Sequence, residues 1–352
     1  MDSLRSLRRH SYAALVVAFT HLVFGAIVRI SGSGMGCGDH WPKCYGHWFP
    51  PMNRPDLVIE WTHRLLASVL VLVIGGFVLT AWRRRQHARV GGRGGVLRAA
   101  ALAFGIVLFA AILGAVTVKL GNTTYATVAH WMVAMALFAT LGAAAIRAGG
   151  LGGTQARGQF ASRRVASAAS AAAGLAFVAV ALGGLTAKYP SAAIACRSFP
   201  LCGFDAAASP GAAHVQLAHR VLAFLLLFHL FGTVVGLKRR PQESRVVAMA
   251  ARAALLLVLL QIAVAAAMVL TTLPPALRSL HQAIGVSVWL GTFVYAYLAR
   301  EAARPQRDVE GASTPRSDRL AAHSAPPQTV PGTAAPRAQS MAVIVARGAD
   351  LL

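Results

Sequence analysis

Four histidines are the residues of this sequence whose type and spacing could do chemistry. They are His63, His130, His219 and His281, and each stands in a strongly apolar segment. Ionisable or metal-binding side chains within a bilayer are costly and usually mark a functional site. The iron of a haem takes two imidazoles as axial ligands, one on each face of the porphyrin. Because the histidines fall two in each half of the chain, the sequence predicts two bis-histidine haem sites.

Long apolar segments must position these histidines. The chain has 352 residues, 56% of them hydrophobic and 13% charged, and its mean hydropathy is +0.58. A soluble domain carries about 25% charged residues, whereas about 20 apolar residues in a row can cross a bilayer. The sequence therefore predicts an all-α membrane protein with eight transmembrane helices, at Tyr12–Ile30, Leu57–Trp82, Ala99–Val118, Tyr125–Ile146, Val165–Ala187, Ala212–Leu237, Val246–Thr272 and Leu277–Leu298.

Positive charge is unevenly distributed along the chain. The formal net charge of +23 would also suit a nucleic-acid-binding protein, but arginines gather in alternate connections, at residues 83–98, 147–164 and 238–245. Membrane proteins carry their basic loops on the cytoplasmic side. We therefore expect a bacterial inner-membrane protein with both termini in the cytoplasm, the cysteine loops outside and no nucleic-acid partner. We expect no cleavable signal peptide, and a disordered cytoplasmic tail at residues 303–352.

The two halves of the chain repeat each other at an offset of about 155 residues. Thr62-His63-Arg64-Leu65-Leu66-Ala67 corresponds to Ala218-His219-Arg220-Val221-Leu222-Ala223. Further pairs follow in the same order: Gly25 with Gly184, Cys37 with Cys196, Cys44 with Cys202 and His130 with His281. We therefore expect two tandem four-helix bundles, residues 1–150 and 151–302, related by a pseudo-twofold axis along the membrane normal.

Helical rise predicts one depth for all four histidines. At about 1.5 Å per residue, each lies about 24 to 28 Å from the cytoplasmic end of its helix, near the outer face. Helices 2 and 4 can then hold one porphyrin and helices 6 and 8 a second, as facing helices of a bundle hold cofactors. A single histidine can equally have a packing role. We favour that role for His21 and His229, which are deeper and have no repeat partner.

All four cysteines fall in outer loops, as Cys37 with Cys44 and Cys196 with Cys202. Outside the bacterial cytoplasm, oxidising conditions favour disulfides, and each short loop can close on itself. Zinc binding is the alternative, although the C-x2-C spacing typical of zinc sites is absent. The pattern favours one disulfide in each loop. Whether the disulfides only hold the loops or exchange electrons with partner thiols stays open.

Glu60 is the acidic residue that falls inside a predicted span. It stands three residues before His63, so both side chains lie on the same helix face. A carboxylate beside a haem could accept protons or stabilise developing positive charge, and the alternative is a structural pairing with Arg64. The second half has Gln216 at the corresponding place. This difference suggests one site for chemistry and one for a resident cofactor.

These motifs resemble the haem A synthase family of membrane enzymes. The resemblance covers about residues 12–299, and the tail beyond Arg304 lies outside it. Its tandem layout and four histidines match, and its most specific pieces are Gly34-Met-Gly-Cys37-Gly-Asp-His-Trp-Pro-Lys-Cys44, Glu60-Trp-Thr-His63-Arg64 and Phe199-Pro-Leu-Cys202-Gly.

The resemblance implies an oxidoreductase that converts a methyl group of haem O to a formyl group, by two successive hydroxylations and loss of water, giving haem A for terminal oxidases. It implies that His63 and His130 hold the substrate haem O and that Glu60 is required for the chemistry. It further implies that His219 and His281 hold a cofactor, haem b, which acts in electron transfer. The implied partners are haem O synthase, which supplies the substrate, and an assembly partner of cytochrome c oxidase.

Two other classes of protein fit parts of the pattern. A membrane cytochrome b that only carries electrons would also use two bis-histidine sites, but Glu60, present in one half only, argues against a symmetric carrier. A transporter would place its site near mid-bilayer at broken helices, and no paired breaks are visible in the sequence. The sequence leaves open the electron donor, the oxidant and whether the chain forms a homo-oligomer.

Overall fold

The computed structural model describes residues 2–203 and 210–304. Within them the chain forms ten α-helices: α1 (Asp2–Ile30), α2 (Pro55–Arg83), α3 (Ala88–Gly91), α4 (Val96–Lys119), α5 (Thr124–Arg147), α6 (Gly153–Ala156), α7 (Arg163–Lys188), α8 (Pro210–Lys238), α9 (Arg245–Leu270) and α10 (Pro275–Ala302). Short 3₁₀ turns at Ser33–Met35 and Ala192–Ile194 lie in two of the loops. The predicted tail lies, from residue 305 onward, outside the described residues.

Eight helices of the described chain, all but α3 and α6, are long and apolar enough to cross a membrane. The predicted all-α class with eight spans is therefore confirmed. The first helix begins at Asp2, well before the predicted start at Tyr12. Leu7 in this early part is fully buried in one cluster with Phe77 and Val96. Tertiary packing thus stabilises the first turns of α1. Their charged residues had excluded them from the predicted span.

Proline and serine mark where several helices begin. Pro55 and Pro275 stand at the first positions of α2 and α10, where a helix does not use the missing N–H group. The hydroxyls of Ser162 and Ser244 cap α7 and α9 by accepting a hydrogen bond from the backbone N–H three residues further on. Local sequence therefore sets the starts of four spans, two of which carry predicted histidines.

Small side chains allow the central helices to approach closely. Ala169, Ala172 and Ala254 are buried in the main apolar cluster, as is typical of helix contacts within a membrane. The apolar windows of α5 and α10 are 56% and 50% buried, more than those of the other spans, and α10 packs against α1, α5, α7 and α9. The centre of the bundle is therefore formed by the helices that carry His130 and His281.

The connections gather at two ends of the bundle. The Asn122 amide donates to the Gly34 carbonyl (2.5 Å), and the Thr124 hydroxyl donates to the Lys188 carbonyl (3.2 Å), so the loops after α1, α4 and α7 lie together. Both cysteine pairs are here, and we call this side the disulfide end, formed by residues 31–54, 120–123, 189–203 and 271–274. The arginine-rich loops after α2, α5 and α8 form the opposite end.

The outward faces of the spans are strongly apolar. Leu72, Ile112, Phe228 and Leu256 are all more than half exposed in the isolated chain. Such a surface would be unfavourable in water and is what the hydrocarbon of a bilayer requires. The exposed surface and the length of the helices therefore agree on a multi-pass membrane protein.

Candidate histidine sites

The four predicted histidines lie on four different helices, in the part of each helix nearer the disulfide end. His63 belongs to α2, His130 to α5, His219 to α8 and His281 to α10. The structure brings the rings of His219 and His281 into contact. In the described part of the chain, no ring contact joins His63 to His130, although the two are close enough to interact electrostatically. The two pairs are therefore described separately.

The imidazoles of His219 and His281 are neighbours, and their planes are nearly perpendicular to each other. Their ring centroids are 6.4 Å apart and their planes cross at 81°. Two imidazoles that bind one metal from opposite sides, each with a metal–nitrogen distance of about 2 Å, have centroids about 6 Å apart. Nδ1 of His219 lies 2.9 Å from the Ala179 carbonyl oxygen, which leaves its Nε2 for a ligand. The pair therefore fits a haem iron between its rings.

His281 has a polar neighbour on α9. Nε2 of Gln261 lies 3.3 Å from Nε2 of His281. Nδ1 of this histidine and Oε1 of this glutamine are both buried without a hydrogen-bond partner. Because a side-chain amide nitrogen only donates, this contact occupies the lone pair of Nε2. The amide of Gln261 therefore has to turn away before Nε2 of His281 can bind a metal. Sequence alone did not single out Gln261, although an amide in an otherwise apolar span was a signal for it.

The ring of His63 has a different surrounding, since it stacks on His21 of α1. The two ring centroids are 4.2 Å apart and the planes differ by 11°. Phe24, one turn further along α1, is also nearly parallel to His63 at 6.4 Å. His21 therefore does pack against another side chain, as expected, and that side chain is the predicted ligand His63. His229, by contrast, lies 2.8 Å from the Ala168 carbonyl oxygen, and helical rise puts it about 15 Å along α8 from His219.

Three of the four predicted ligands lie against a glycine of a neighbouring helix. A Cβ atom would stand 3.3 Å from Cε1 of His63 if built at Gly25, and 3.1 Å from Cε1 of His130 if built at Gly114. At Gly183 it would stand 3.0 Å from Cε1 of His219. Such separations are tight for carbon atoms. These glycines therefore leave the space that the imidazoles occupy, and glycines within apolar helices were the signal that the sequence analysis did not use.

Buried side-chain nitrogen and oxygen atoms without a hydrogen-bond partner are concentrated around the histidines. In the described residues they are, apart from the hydroxyl of Tyr295, Nε2 of His21, Nδ1 of His63, His130 and His281, Nε1 of Trp131 and Oε1 of Gln261. An unpaired buried polar group costs about 1–3 kcal/mol. Groups that lack partners within the chain are expected where a bound molecule or water completes the site. The described residues contain no cluster of three or more His, Cys, Asp or Glu residues that could hold a bare metal ion.

The carboxylate of Glu60 joins α2 to the first cysteine loop. Glu60 is 3% exposed, and its Oε2 accepts a hydrogen bond from the Cys37 backbone N–H (2.8 Å). Its Oε1 accepts from the guanidinium of Arg64 (2.5 Å). The structural pairing with Arg64 that the sequence left as an alternative is therefore present. Both oxygens of this carboxylate, which stands three residues before His63 on α2, therefore accept hydrogen bonds.

The second loop is held by an uncharged equivalent. Oε1 of Gln216 accepts from the Cys196 backbone N–H at 2.7 Å. The guanidinium of Arg220 donates to carbonyls of the same loop, those of Cys196, Ser198, Pro200 and Leu201. Arg64 donates likewise to the carbonyls of His40, Pro42 and Lys43 in the first loop. The two loops thus make matching contacts, and they differ in the charge that Glu60 adds.

Each cysteine pair is joined as a disulfide within its own loop. Cys37 and Cys44 have Cα atoms 4.8 Å apart, and Cys196 and Cys202 have Cα atoms 4.6 Å apart, both within the usual range for a disulfide. No free cysteine occurs among the described residues. The cysteines of each loop therefore lie at disulfide distance from each other, and zinc binding by these thiolates is not supported.

The geometry defines a class: a multi-pass, all-helical membrane protein whose spans enclose buried histidine pairs beneath two disulfide loops. Comparison with protein families goes further. The family model of the COX15-CtaA cytochrome oxidase assembly proteins matches residues 8–58 and 54–293. The chain belongs to this family.

Individual relatives agree with this assignment. A protein of Geobacillus kaustophilus named heme A synthase is 28% identical over 92% of this chain and 98% of its own length. Heme A synthase of Shouchella clausii is 30% identical over 71% of this chain and 82% of its own. Heme A synthase of Bacillus licheniformis is 26% identical over 82% of this chain and 93% of its own. The similarity therefore extends over most of the membrane part.

Proposed function

We propose that this chain is a haem A synthase, which oxidises a methyl group of haem O to the formyl group of haem A. The observation that carries the proposal is the pair of neighbouring imidazoles, His219 and His281, inside the bundle of a chain that belongs to this family. This chain matches nearly the whole length of two relatives that are named heme A synthase. An electron-carrying cytochrome b without chemistry of its own is therefore not favoured.

The resident cofactor of the second half, residues 151–302, is haem b, bound by His219 and His281. When bound, haem b supplies one-electron transfer. The Ala179 carbonyl fixes the tautomer and direction of His219. The amide of Gln261 lies beside Nε2 of His281 and has to turn when that nitrogen binds the iron. The 6.4 Å separation of the rings supports this assignment.

The substrate site lies in the first half, residues 1–150, where His63 and His130 hold haem O. Support comes from the glycines of neighbouring helices against which both rings lie, Gly25 for His63 and Gly114 for His130. Glu60 is the catalytic carboxylate of this half, and it acts as a negative charge beside His63 that favours positive charge developing on the oxidised substrate. In the second half an uncharged amide makes the corresponding loop contact, so this charge is specific to the first half.

The topology that suits this function has the disulfide end outside and both termini in the cytoplasm of a bacterial cell. The arginine-rich connections support this orientation in the inner membrane. The matching contacts of the two loops support a tandem repeat of two four-helix bundles about an axis along the membrane normal. Haem O synthase is the source of substrate, and the product goes to assembly of a cytochrome c oxidase.

The test is haem analysis in a host that lacks haem A synthase and produces haem O synthase together with this chain. Extracted haems are separated by chromatography and identified by mass. We expect haem A with the wild-type chain and none with His63→Ala, which should still retain haem b. Haem O left unconverted by a folded chain that holds only haem b would refute the proposal and favour the electron carrier.

A further inference from the structure

The first ligand of each half is held in a different way. In the second half, Nδ1 of His219 lies 2.9 Å from a backbone carbonyl oxygen of α7, that of Ala179. In the first half, Nδ1 of His63 is buried and has no hydrogen-bond partner. The neighbouring helix α1 contributes instead the flat ring of His21, stacked on His63 at 4.2 Å. Stacking thus takes the place of a hydrogen bond.

We propose that His21 is the positioning residue of the first-half site, where its stacked ring sets the plane of His63 without fixing the Nδ1 atom of that ligand. The inference rests on the proposed function, in which the first half binds haem O and releases haem A. In this inference, the first half exchanges its porphyrin and the second half retains it because His63 and His219 are held in different ways.

The physical reason lies in what each contact constrains. A hydrogen bond to Nδ1 fixes the tautomer of an imidazole, fixes its direction and raises its basicity, which strengthens its bond to a metal. Parallel stacking limits the tilt of the ring but adds no charge to the ligating nitrogen. A ligand held only by stacking is therefore correctly oriented when a porphyrin arrives and binds it less strongly afterwards. A substrate site has to meet both conditions.

The sequence supports a role confined to one half. The sequence pairs Gly25 with Gly184, but in the structure Gly25 faces His63 and Gly183 faces His219. The contacts therefore put Ala179 at the place of His21 in the second half, and alanine has no ring to stack.

The experiment compares His21→Ala, which removes the ring, with His21→Phe, which keeps a flat ring and removes the nitrogens. Purified protein in detergent is loaded with ferric haem. The rate of haem transfer to apomyoglobin and the low-spin ferric EPR spectrum are recorded, and the first-half contribution is the part lost in His63→Ala. His229→Ala is the matched control, because it removes another histidine of the spans, one that lies about 15 Å along α8 from His219.

We expect His21→Ala to release first-half haem about 10-fold faster, the lower range for loss of a residue that supports a metal ligand. Its first-half EPR signal should broaden, because the His63 plane is no longer set. His21→Phe should restore the signal and keep the release rate within about 3-fold of wild type, since a flat aromatic ring retains the stacking contact. The second-half signal should stay unchanged in all variants, and His229→Ala should leave both signals unchanged.

Three results would overturn parts of this reasoning, and they can be told apart. A His21→Ala protein with wild-type release and spectrum removes the inference alone. A His21→Phe protein that retains its second-half signal but behaves like His21→Ala shows that stacking is not the device. If His21→Ala loses the second-half signal as well, it has misfolded, and His21→Phe decides. Wild-type protein that binds no haem through His63 refutes the proposed function itself, and this inference with it.

Discussion

Glu60 is expected to be needed for its charge more than for its contacts. Its two carboxylate oxygens accept hydrogen bonds from the Cys37 N–H (2.8 Å) and from Arg64. The second half shows that an amide can make the loop contact, because Gln216 accepts from the Cys196 N–H at 2.7 Å. Glu60→Gln therefore keeps the loop bound to α2 and removes the charge, whereas Glu60→Ala removes both.

The structure gives a magnitude for each change. In Glu60→Ala, the buried Cys37 N–H loses its acceptor, which costs about 1–3 kcal/mol. Breaking a buried ion pair costs about 3–5 kcal/mol, but Arg64 keeps the carbonyls of His40 and Pro42 as partners, so its share should be smaller. We expect a total loss of about 3 kcal/mol. In Glu60→Gln the amide oxygen can keep the Cys37 bond, but the NH2 group cannot accept from Arg64. Because Arg64 retains its loop carbonyls, we expect a loss of about 1–2 kcal/mol.

The assay combines stability with product analysis. Thermal unfolding in detergent should show a clear fall in midpoint for Glu60→Ala and a small one for Glu60→Gln. Haem A output of Glu60→Gln should fall by about 100-fold or more, the usual effect of removing a group that stabilises transition-state charge, while its haem b content stays normal. Gln216→Glu is the matched control and should leave output unchanged, because it adds charge to the half that, in the proposed function, does no chemistry.

Two results would refute this reasoning about Glu60. Normal haem A output from Glu60→Gln would remove the charge from the mechanism and leave Glu60 a structural residue. A Glu60→Gln protein as unstable as Glu60→Ala would show that the amide does not replace the carboxylate in the loop contact, contrary to what Gln216 does in the second half.

Three further predictions follow from the site and its loops. A Cβ built at Gly114 would lie 3.1 Å from the ring of His130, and one built at Gly183 would lie 3.0 Å from the ring of His219. Gly114→Ala should therefore lower haem retention in the first half only, and Gly183→Ala in the second half only. Haem content per protein checks this, and equal losses from both halves in either variant would contradict it. Gln261→Leu should slow transfer of haem b to apomyoglobin, because no amide then competes for Nε2 of His281; a faster rate would instead make Gln261 a support of the ligand. Cys37→Ser should lower the free energy of unfolding by about 2 kcal/mol by opening the short loop closed with Cys44; stability equal to that of wild type under oxidising conditions would count against the disulfide.

The sequence was sufficient to predict the spans, because bilayer thickness imposes a length and an apolar composition that can be read without knowing any contact. The early start of α1 was not predictable in this way. Leu7 is helical and buried because it meets Phe77 and Val96, residues distant in sequence. The same limit applies wherever packing, and not the membrane, decides which residues are helical.

The residues of the candidate sites also fall into two groups: those that the sequence predicts and those that depend on packing. The histidines with a repeat partner could be found from sequence, since two copies of a motif make chance agreement improbable. His21 has no copy, and its contact with His63 depends on the relative depth of α1 and α2. Gln261 likewise becomes relevant only when α9 packs beside α10. The pairing of Glu60 with Arg64 was available from their spacing, but its bond to the Cys37 N–H depends on the path of the loop.

The two halves share one way of holding their loops and differ in how they treat the ligands beneath them. A Glu or Gln accepts from the first cysteine's N–H, and an arginine one turn later donates to loop carbonyls in both halves. Because these contacts match, they cannot explain why one half would exchange its porphyrin and the other retain it. That difference has to come from residues without an equivalent in the other half. The structure offers the charge of Glu60, the stacked ring of His21 and the amide of Gln261, so the chemistry of the two sites should be separable by changes at these three positions.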